Sequence, residues 1–123
     1  VSVTGVSPGV LRAAVHAASL SDSEYFPTGA VVFKGRRVLG TGRNFTTKTH
    51  PKSRTRRQAI HAELDLERRS DLSGRSVLVV RLLSSGGLGL AKPCLHCERL
   101  LREAKVEEVY YSDREGGIQR YEP

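Results

Sequence analysis

The chain of 123 residues has no tryptophan, no methionine and only two cysteines. Two thiols cannot build a disulfide framework, so an intracellular, reducing compartment is the expectation. No stretch approaches the roughly 18 consecutive apolar residues of a membrane-spanning helix, and no membrane partner is expected. Val1 to Gly9 lacks the basic start and apolar run of a secretory leader. The first residue is valine, which suggests a processed or excised chain. Three Phe and four Tyr are the only aromatics, too few for an extended platform stacking single-stranded bases. At this length the chain is expected to form a single domain over residues 1–123 with one core.

Acidic residues are also missing from one long stretch. Between Tyr25 and Ala62 there is none, while Lys34, Arg36, Arg37, Arg43, Lys48, Lys52, Arg54, Arg56 and Arg57 supply nine positive charges. The remainder holds 11 basic and 13 acidic residues, so the whole net charge of +7 arises from this segment. Runs of charge usually mark a solvated face. This one leads directly into His61, which makes Lys48, Lys52, Arg54, Arg56 and Arg57 candidates for binding phosphate, and the 34–57 segment a candidate nucleic-acid contact.

Apolar spacing supplies the elements. Val10, Leu11, Ala14, Val15 and Ala18 follow the 3.6-residue period of an amphipathic helix over 8–20, with Ser7 as its cap and Pro8 at its first position. Val31 to Phe33 and Arg37 to Gly42 read as two strands of a hairpin turning at Gly35. Pro51 and its polar neighbours predict a loop from Phe45 to about Gln58, followed by a helix from Ala59 to Arg69. Ser76 to Leu83 is apolar enough for a central strand buried on both faces. Ser84 to Leu90 is a glycine-rich loop, either a mobile segment or a plain connector. A helix to about Ala104, a strand over 106–111 and a hairpin return at Gly116-Gly117 complete the chain.

Two short motifs carry the chemistry. His61-Ala62-Glu63 and, some thirty residues on, Pro93-Cys94-Leu95-His96-Cys97 together offer one imidazole and two thiolates, a donor set suited to catalytic zinc. Cys94 and Cys97 share one face of a helical turn, and Pro93 suits the start of that helix. The positive end of the helix favours their thiolate forms. Zinc lowers the pKa of bound water toward neutrality. Glu63, beside the metal but not bound to it, is placed to move the protons. A C-x-x-C pair alone would also suit a redox site or half of a structural zinc site, for which His96 or His50 would supply a fourth ligand. The paired motifs match the H-x-E with P-C-x-x-C pattern of zinc-dependent nucleobase deaminases.

With Phe26-Pro27-Thr28-Gly29-Ala30 ahead of a hairpin, the chain resembles the cytidine deaminase superfamily over nearly its whole length, in the branch ending with an antiparallel hairpin. The resemblance implies an α/β fold of three α/β/α layers around a mixed sheet of about five strands. It also implies hydrolytic deamination of cytosine to uracil, with Zn2+ as cofactor, His61, Cys94 and Cys97 as its ligands and Glu63 as the proton carrier. Phe26 would pack against the pyrimidine, or simply be buried between helix and sheet. Asn44 would bind the sugar, while Ala62 and Pro93 would help hold the base. A histidine as first ligand, where free-cytidine enzymes usually carry cysteine, and the basic segment both favour a phosphate-bearing substrate: single-stranded nucleic acid or a cytidine nucleotide. Free cytidine or deoxycytidine, a purine, and a non-catalytic zinc-stabilised nucleic-acid-binding module are the rival readings. A homo-oligomer is compatible with the sequence.

Overall fold

The computed structural model describes residues 6–23, 26–47 and 58–123. His50 and the five cations Lys48, Lys52, Arg54, Arg56 and Arg57, expected to bind phosphate, lie outside the described residues. The first helix, α1 (Pro8–Ser19), is capped as its sequence predicts: the Ser7 hydroxyl accepts from the Val10 N–H at 3.3 Å. Its buried residues, Val10, Ala14, Ala17 and Ala18, are mostly alanine, so the helix can lie close to the sheet. Gly29 completes that approach, because a Cβ there would stand 2.3 Å from the Ala14 carbonyl oxygen.

Strands β1 (Thr28–Lys34) and β2 (Arg37–Arg43) form the expected hairpin, with Gly35 at φ +59° in the turn. Next come two three-residue strands, β3 (Phe45–Thr47) and β4 (Gln58–Ile60), paired with each other in a separate ribbon. The helix expected from Ala59 therefore begins later, as α2 (Ala62–Arg69). Pairing between Phe45 and Ile60 holds residues 58–60 extended, and tertiary pairing outweighs the local helical pattern. The loop expected from Phe45 likewise starts as a strand.

Strand β5 (Ser76–Leu82) is the central strand the sequence predicts, followed by the two-residue β6 (Leu88–Gly89) inside the glycine-rich stretch. Helix α3 (Leu95–Glu103) and the strands β7 (Glu108–Ser112) and β8 (Ile118–Tyr121) follow. The sheet runs β2-β1-β5-β7-β8, with β6 beside the end of β5. Only the β5–β7 pairing is parallel, so the sheet is mixed, and β7 returns through an antiparallel hairpin into β8. Alternation along β1 and β5 divides the core. Val31, Phe33, Leu78 and Val80 pack under α1, while Ala30, Val32, Val77 and Val79 meet Leu66 of α2 and Leu101 of α3 on the opposite face. The architecture is thus the expected three-layer α/β/α arrangement.

No helix among the described residues is long and apolar enough to cross a membrane. The hairpin also splits the basic segment. Lys34, Arg36 and Arg37 sit at its turn, about 20 Å along β1 from Thr28 at a rise of roughly 3.3 Å per residue.

Candidate metal centre and active site

Two junctions leading into helices meet beside the Thr28 end of β1. At the first, His61 is the N-cap of α2, with extended backbone (φ −72°, ψ 150°), and Glu63 follows within the first turn. At the second, Cys94 is the N-cap of α3 (φ −68°, ψ 169°) and Cys97 lies one turn later. Pro93 therefore stands one residue before the cap, whereas the sequence had suggested it for the start of the helix itself. The reason is geometric: Cys94 must remain extended to face His61, so the first helical residue is Leu95.

Neither cap side chain bonds to its own helix. Instead, His61 Nδ1 lies 3.2 Å from Cys97 Sγ and 3.7 Å from Cys94 Sγ, and the three potential ligand atoms all fall within 4.8 Å of one another. Tetrahedral zinc, with Zn–N near 2.0 Å and Zn–S near 2.3 Å, places nitrogen and sulfur about 3.5 Å apart. The donor set and its two nitrogen–sulfur distances fit Zn2+. Among the described residues three donors gather here, the complement of a catalytic site, whereas structural zinc takes four. His96 lines a different cavity, between α2 and α3, with Glu67 and Glu103.

Electrostatics distinguish the two buried groups. Burial raises the Glu63 carboxyl above the usual carboxylate range, against the opposing effects of its backbone N–H, His61 and Cys97. Burial also drives the Cys97 thiol far upward, aided by the negative charges of Glu63 and Cys94. A thiol in that setting ionises readily only beside a cation, which is what a metal would provide.

His61 and Cys94 open onto a cavity of about 350 Å³, near the lower end of the roughly 300–1,000 Å³ usual for small-molecule sites. Val79, Leu90 and Ala91 give it apolar lining, Ser23, Thr28 and Asn44 give it hydrogen-bonding groups, and Phe26 borders it. Glu63, Arg81 and Lys92 carry its charge, and Ala62 also contributes to the wall. Of the sequence candidates, Phe26, Asn44, Ala62 and Glu63 thus join His61 and Cys94 around one space, with Cys97 buried behind them. Pro93 is buried and does not line it, although Lys92 and Cys94 on either side do. Phe26 is 57% exposed, which removes the alternative that it is buried between helix and sheet.

Asn44 has a structural duty as well. Its Oδ1 accepts from Thr28 N at 2.8 Å and from the Ser21 hydroxyl, while its Nδ2 donates to the Phe26 carbonyl at 2.6 Å. It fastens the segment before β1 to the end of β2. Ser112, fully buried, does similar work opposite: its hydroxyl donates to the Gly89 carbonyl at 2.6 Å and accepts from Arg81 N at 3.2 Å. Its own carbonyl accepts from Ala91 N at 2.9 Å, which ties the segment leading to Cys94 onto the sheet.

Sequence reasoning missed Thr28, Arg81 and Lys92. Thr28 and Arg81 are register partners in adjacent strands, a relation invisible before the sheet is known. A signal existed for Arg81, since it is the one charged residue within the apolar stretch Val77 to Leu83.

The model for the cytidine and deoxycytidylate deaminase zinc-binding region matches residues 8–113. Deoxycytidylate deaminase of Mycobacterium phage D29 is 31% identical over 124 residues, covering 82% of this chain and 89% of that protein. Cytidine deaminase from Burkholderia pseudomallei has a similar fold (TM-score 0.63, 19% identity, 90% of this chain and 87% of that one). So does dCMP deaminase from cyanophage S-TIM5 in complex with dCMP and dUMP (TM-score 0.59, 21% identity, 88% and 84%).

Proposed function

This chain belongs to the zinc-binding cytidine and deoxycytidylate deaminases, and from that premise we propose that it hydrolyses cytosine to uracil in a cytosine nucleotide. The observation that carries the reading is the position of Glu63. It is a buried carboxyl on the first turn of α2, two residues from His61, lining the same cavity as His61 and Cys94.

His61 Nδ1, Cys94 Sγ and Cys97 Sγ hold the metal in this reading. Zinc there supplies Lewis acidity, making water nucleophilic near neutral pH. Glu63 takes a proton from the attacking water and delivers it to ring N3, which draws electron density away from C4 as the new C–O bond forms. The carboxylate, having given up that proton, then takes the remaining one from the new C4 hydroxyl and passes it to the exocyclic nitrogen. The C4–N bond breaks, ammonia departs, and uracil keeps the oxygen. Burial suits Glu63 to this shuttle, because a desolvated carboxyl holds a proton more readily than an exposed one. The Ala62 backbone and the ring of Phe26 position the base, and the Asn44 amide, whose Nδ2 carries two N–H groups, meets the sugar.

A Glu63→Gln variant keeps the size of the side chain but cannot carry a proton. It should retain stoichiometric zinc and lose deamination by at least about a hundredfold, at the lower end of the 10²–10⁴ attributed to general acid–base catalysis. Activity equal to that of the parent protein would refute the role of Glu63. Undiminished biological effect in the absence of turnover would point to a zinc-stabilised binding module.

A further inference from the structure

We infer that Ser21 is a positioning residue of this site, holding the Asn44 amide so that it offers the substrate's sugar one N–H donor and no acceptor. The inference rests on the cytosine-nucleotide reading above, in which Asn44 meets the sugar. It adds the residue that orients the amide and the kind of sugar group the amide selects.

The orientation of the amide follows from what surrounds it. A backbone N–H can only donate and a backbone carbonyl can only accept. The Asn44 oxygen must therefore face Thr28 N, 2.8 Å away, and its nitrogen the Phe26 carbonyl, 2.6 Å away. A flipped amide would set donor against donor and acceptor against acceptor. Ser21 completes the lock, because its hydroxyl donates to the same Oδ1. That hydroxyl also accepts from Ser23 N at 3.1 Å, which leaves its hydrogen for Asn44. An amide oxygen has two lone pairs, and both are now engaged; the nitrogen has two N–H groups, and one is engaged. Among the described residues, the second N–H is what Asn44 retains for a ligand in the cavity it lines.

Ser21 can impose this order because it is anchored elsewhere. Its N–H donates to the Ala18 carbonyl at 3.1 Å, which fixes it to the end of α1. Asn44 N donates to the Thr28 carbonyl at 3.0 Å, which fixes the other partner to β1. Ser23, Phe26, Thr28 and Asn44 line the cavity, whereas Ser21 is not part of its wall and acts through Asn44. The Phe26 carbonyl also receives the Thr28 hydroxyl at 2.9 Å, so both its lone pairs are taken and it cannot serve the sugar instead. In a 5′-phosphorylated deoxynucleotide the 3′-hydroxyl is the one free hydroxyl of the sugar. It can accept from Asn44. A 3′-ammonium can only donate, and would meet the amide N–H with like polarity.

The test compares the zinc-loaded full chain with Ser21→Ala and Ser21→Thr, after zinc content and thermal stability have shown each variant to be folded. Turnover of dCMP and of 2′,3′-dideoxycytidine monophosphate is measured, and in the parent also that of the 3′-amino analogue at pH 6, where an alkylamine is an ammonium. The parent should favour dCMP over the dideoxy substrate by roughly 3- to 10-fold in kcat/KM, as expected for one neutral hydrogen bond. Ser21→Ala should bring that ratio close to one, chiefly by raising KM for dCMP, because the lost contact serves binding more than the chemical step. A general loosening of the fold would lower both substrates together and leave the ratio alone. Ser21→Thr, which keeps the hydroxyl, should restore the ratio. The 3′-amino analogue should be turned over more slowly than the dideoxy substrate. A ratio unchanged in Ser21→Ala, a ratio lowered equally in Ser21→Thr, or a 3′-amino analogue turned over faster than the dideoxy substrate would overturn the inference and leave the deaminase reading intact. If no cytosine nucleotide is turned over, that reading fails and calorimetry decides alone. Tighter binding of dUMP than of 2′,3′-dideoxyuridine monophosphate, with the difference lost in Ser21→Ala, would sustain the role of Ser21; equal binding of the two by the parent would overturn it.

Discussion

At the scale of single residues, the site depends on bringing opposed requirements together. Cys97 is fully buried beside Glu63 and Cys94, so its thiol is pushed strongly toward the neutral form. Zinc must displace that proton to bind. Because the group is protonated below its raised pKa, raising the pH removes part of the competition. Apparent zinc affinity should therefore rise with pH, by about tenfold per unit for each proton released. Chelator competition at two pH values between 6 and 8, with proton release followed in weak buffer, measures this directly. An affinity independent of pH would contradict the thiolate ligand set. The ligands and Glu63 were legible in the sequence because each motif is local: one helix start fixes His61 against Glu63, another fixes Cys94 against Cys97. Arg81 was not legible, since its place in the cavity depends on pairing with Thr28, and its neighbours suggested only a buried strand.

At the scale of elements, the distance between α2 and the sheet sets the position of His61 and Glu63. Gly42 makes that distance possible. A Cβ at Gly42 would stand 2.6 Å from Leu66 N and 2.7 Å from the Ala62 carbonyl oxygen, both backbone atoms of α2. One turn along, the Asp65 carboxylate accepts from Arg43 N at 3.0 Å and pairs with Arg69 Nε at 3.1 Å, holding the helix to the end of β2. Gly42→Ala must push α2 outward. It should cost about 1–3 kcal/mol, the usual range for overpacking, and reduce zinc occupancy at limiting metal. Gly9→Ala is the control, since its Cβ would meet nothing nearer than the Arg12 Nη2 atom at 3.8 Å. It should leave zinc uptake unchanged and stability equal or slightly higher. Thermal denaturation and metal titration of both variants measure the contrast, and equal behaviour would contradict the account. The sequence pattern marked α1, the β1–β2 hairpin, β5 and the final hairpin. It misplaced the start of α2, because the extended state of residues 58–60 comes from pairing with β3, a partner more than ten residues earlier.

At the scale of the whole molecule, the sequence's largest bias divides once it is folded. The acid-free segment appeared as one positive field leading to His61. In the structure its first cations, Lys34, Arg36 and Arg37, are carried to the opposite end of the sheet. Among the described residues, the cations lining the cavity are Arg81 and Lys92, on β5 and on the segment before α3. Overall layering was legible, since a doubly buried strand between helices requires cover on both faces. Which charges would converge was a property of topology.

The central claim is hydrolysis at C4 of cytosine, with loss of its amine. The most direct test supplies the zinc-loaded protein with dCMP in ¹⁸O-enriched water and follows both products. The account predicts ammonia equimolar with dUMP, and dUMP labelled with one ¹⁸O at position 4. Unlabelled product, or no conversion of dCMP, CMP, deoxycytidine or cytidine by folded protein with stoichiometric zinc, would contradict it.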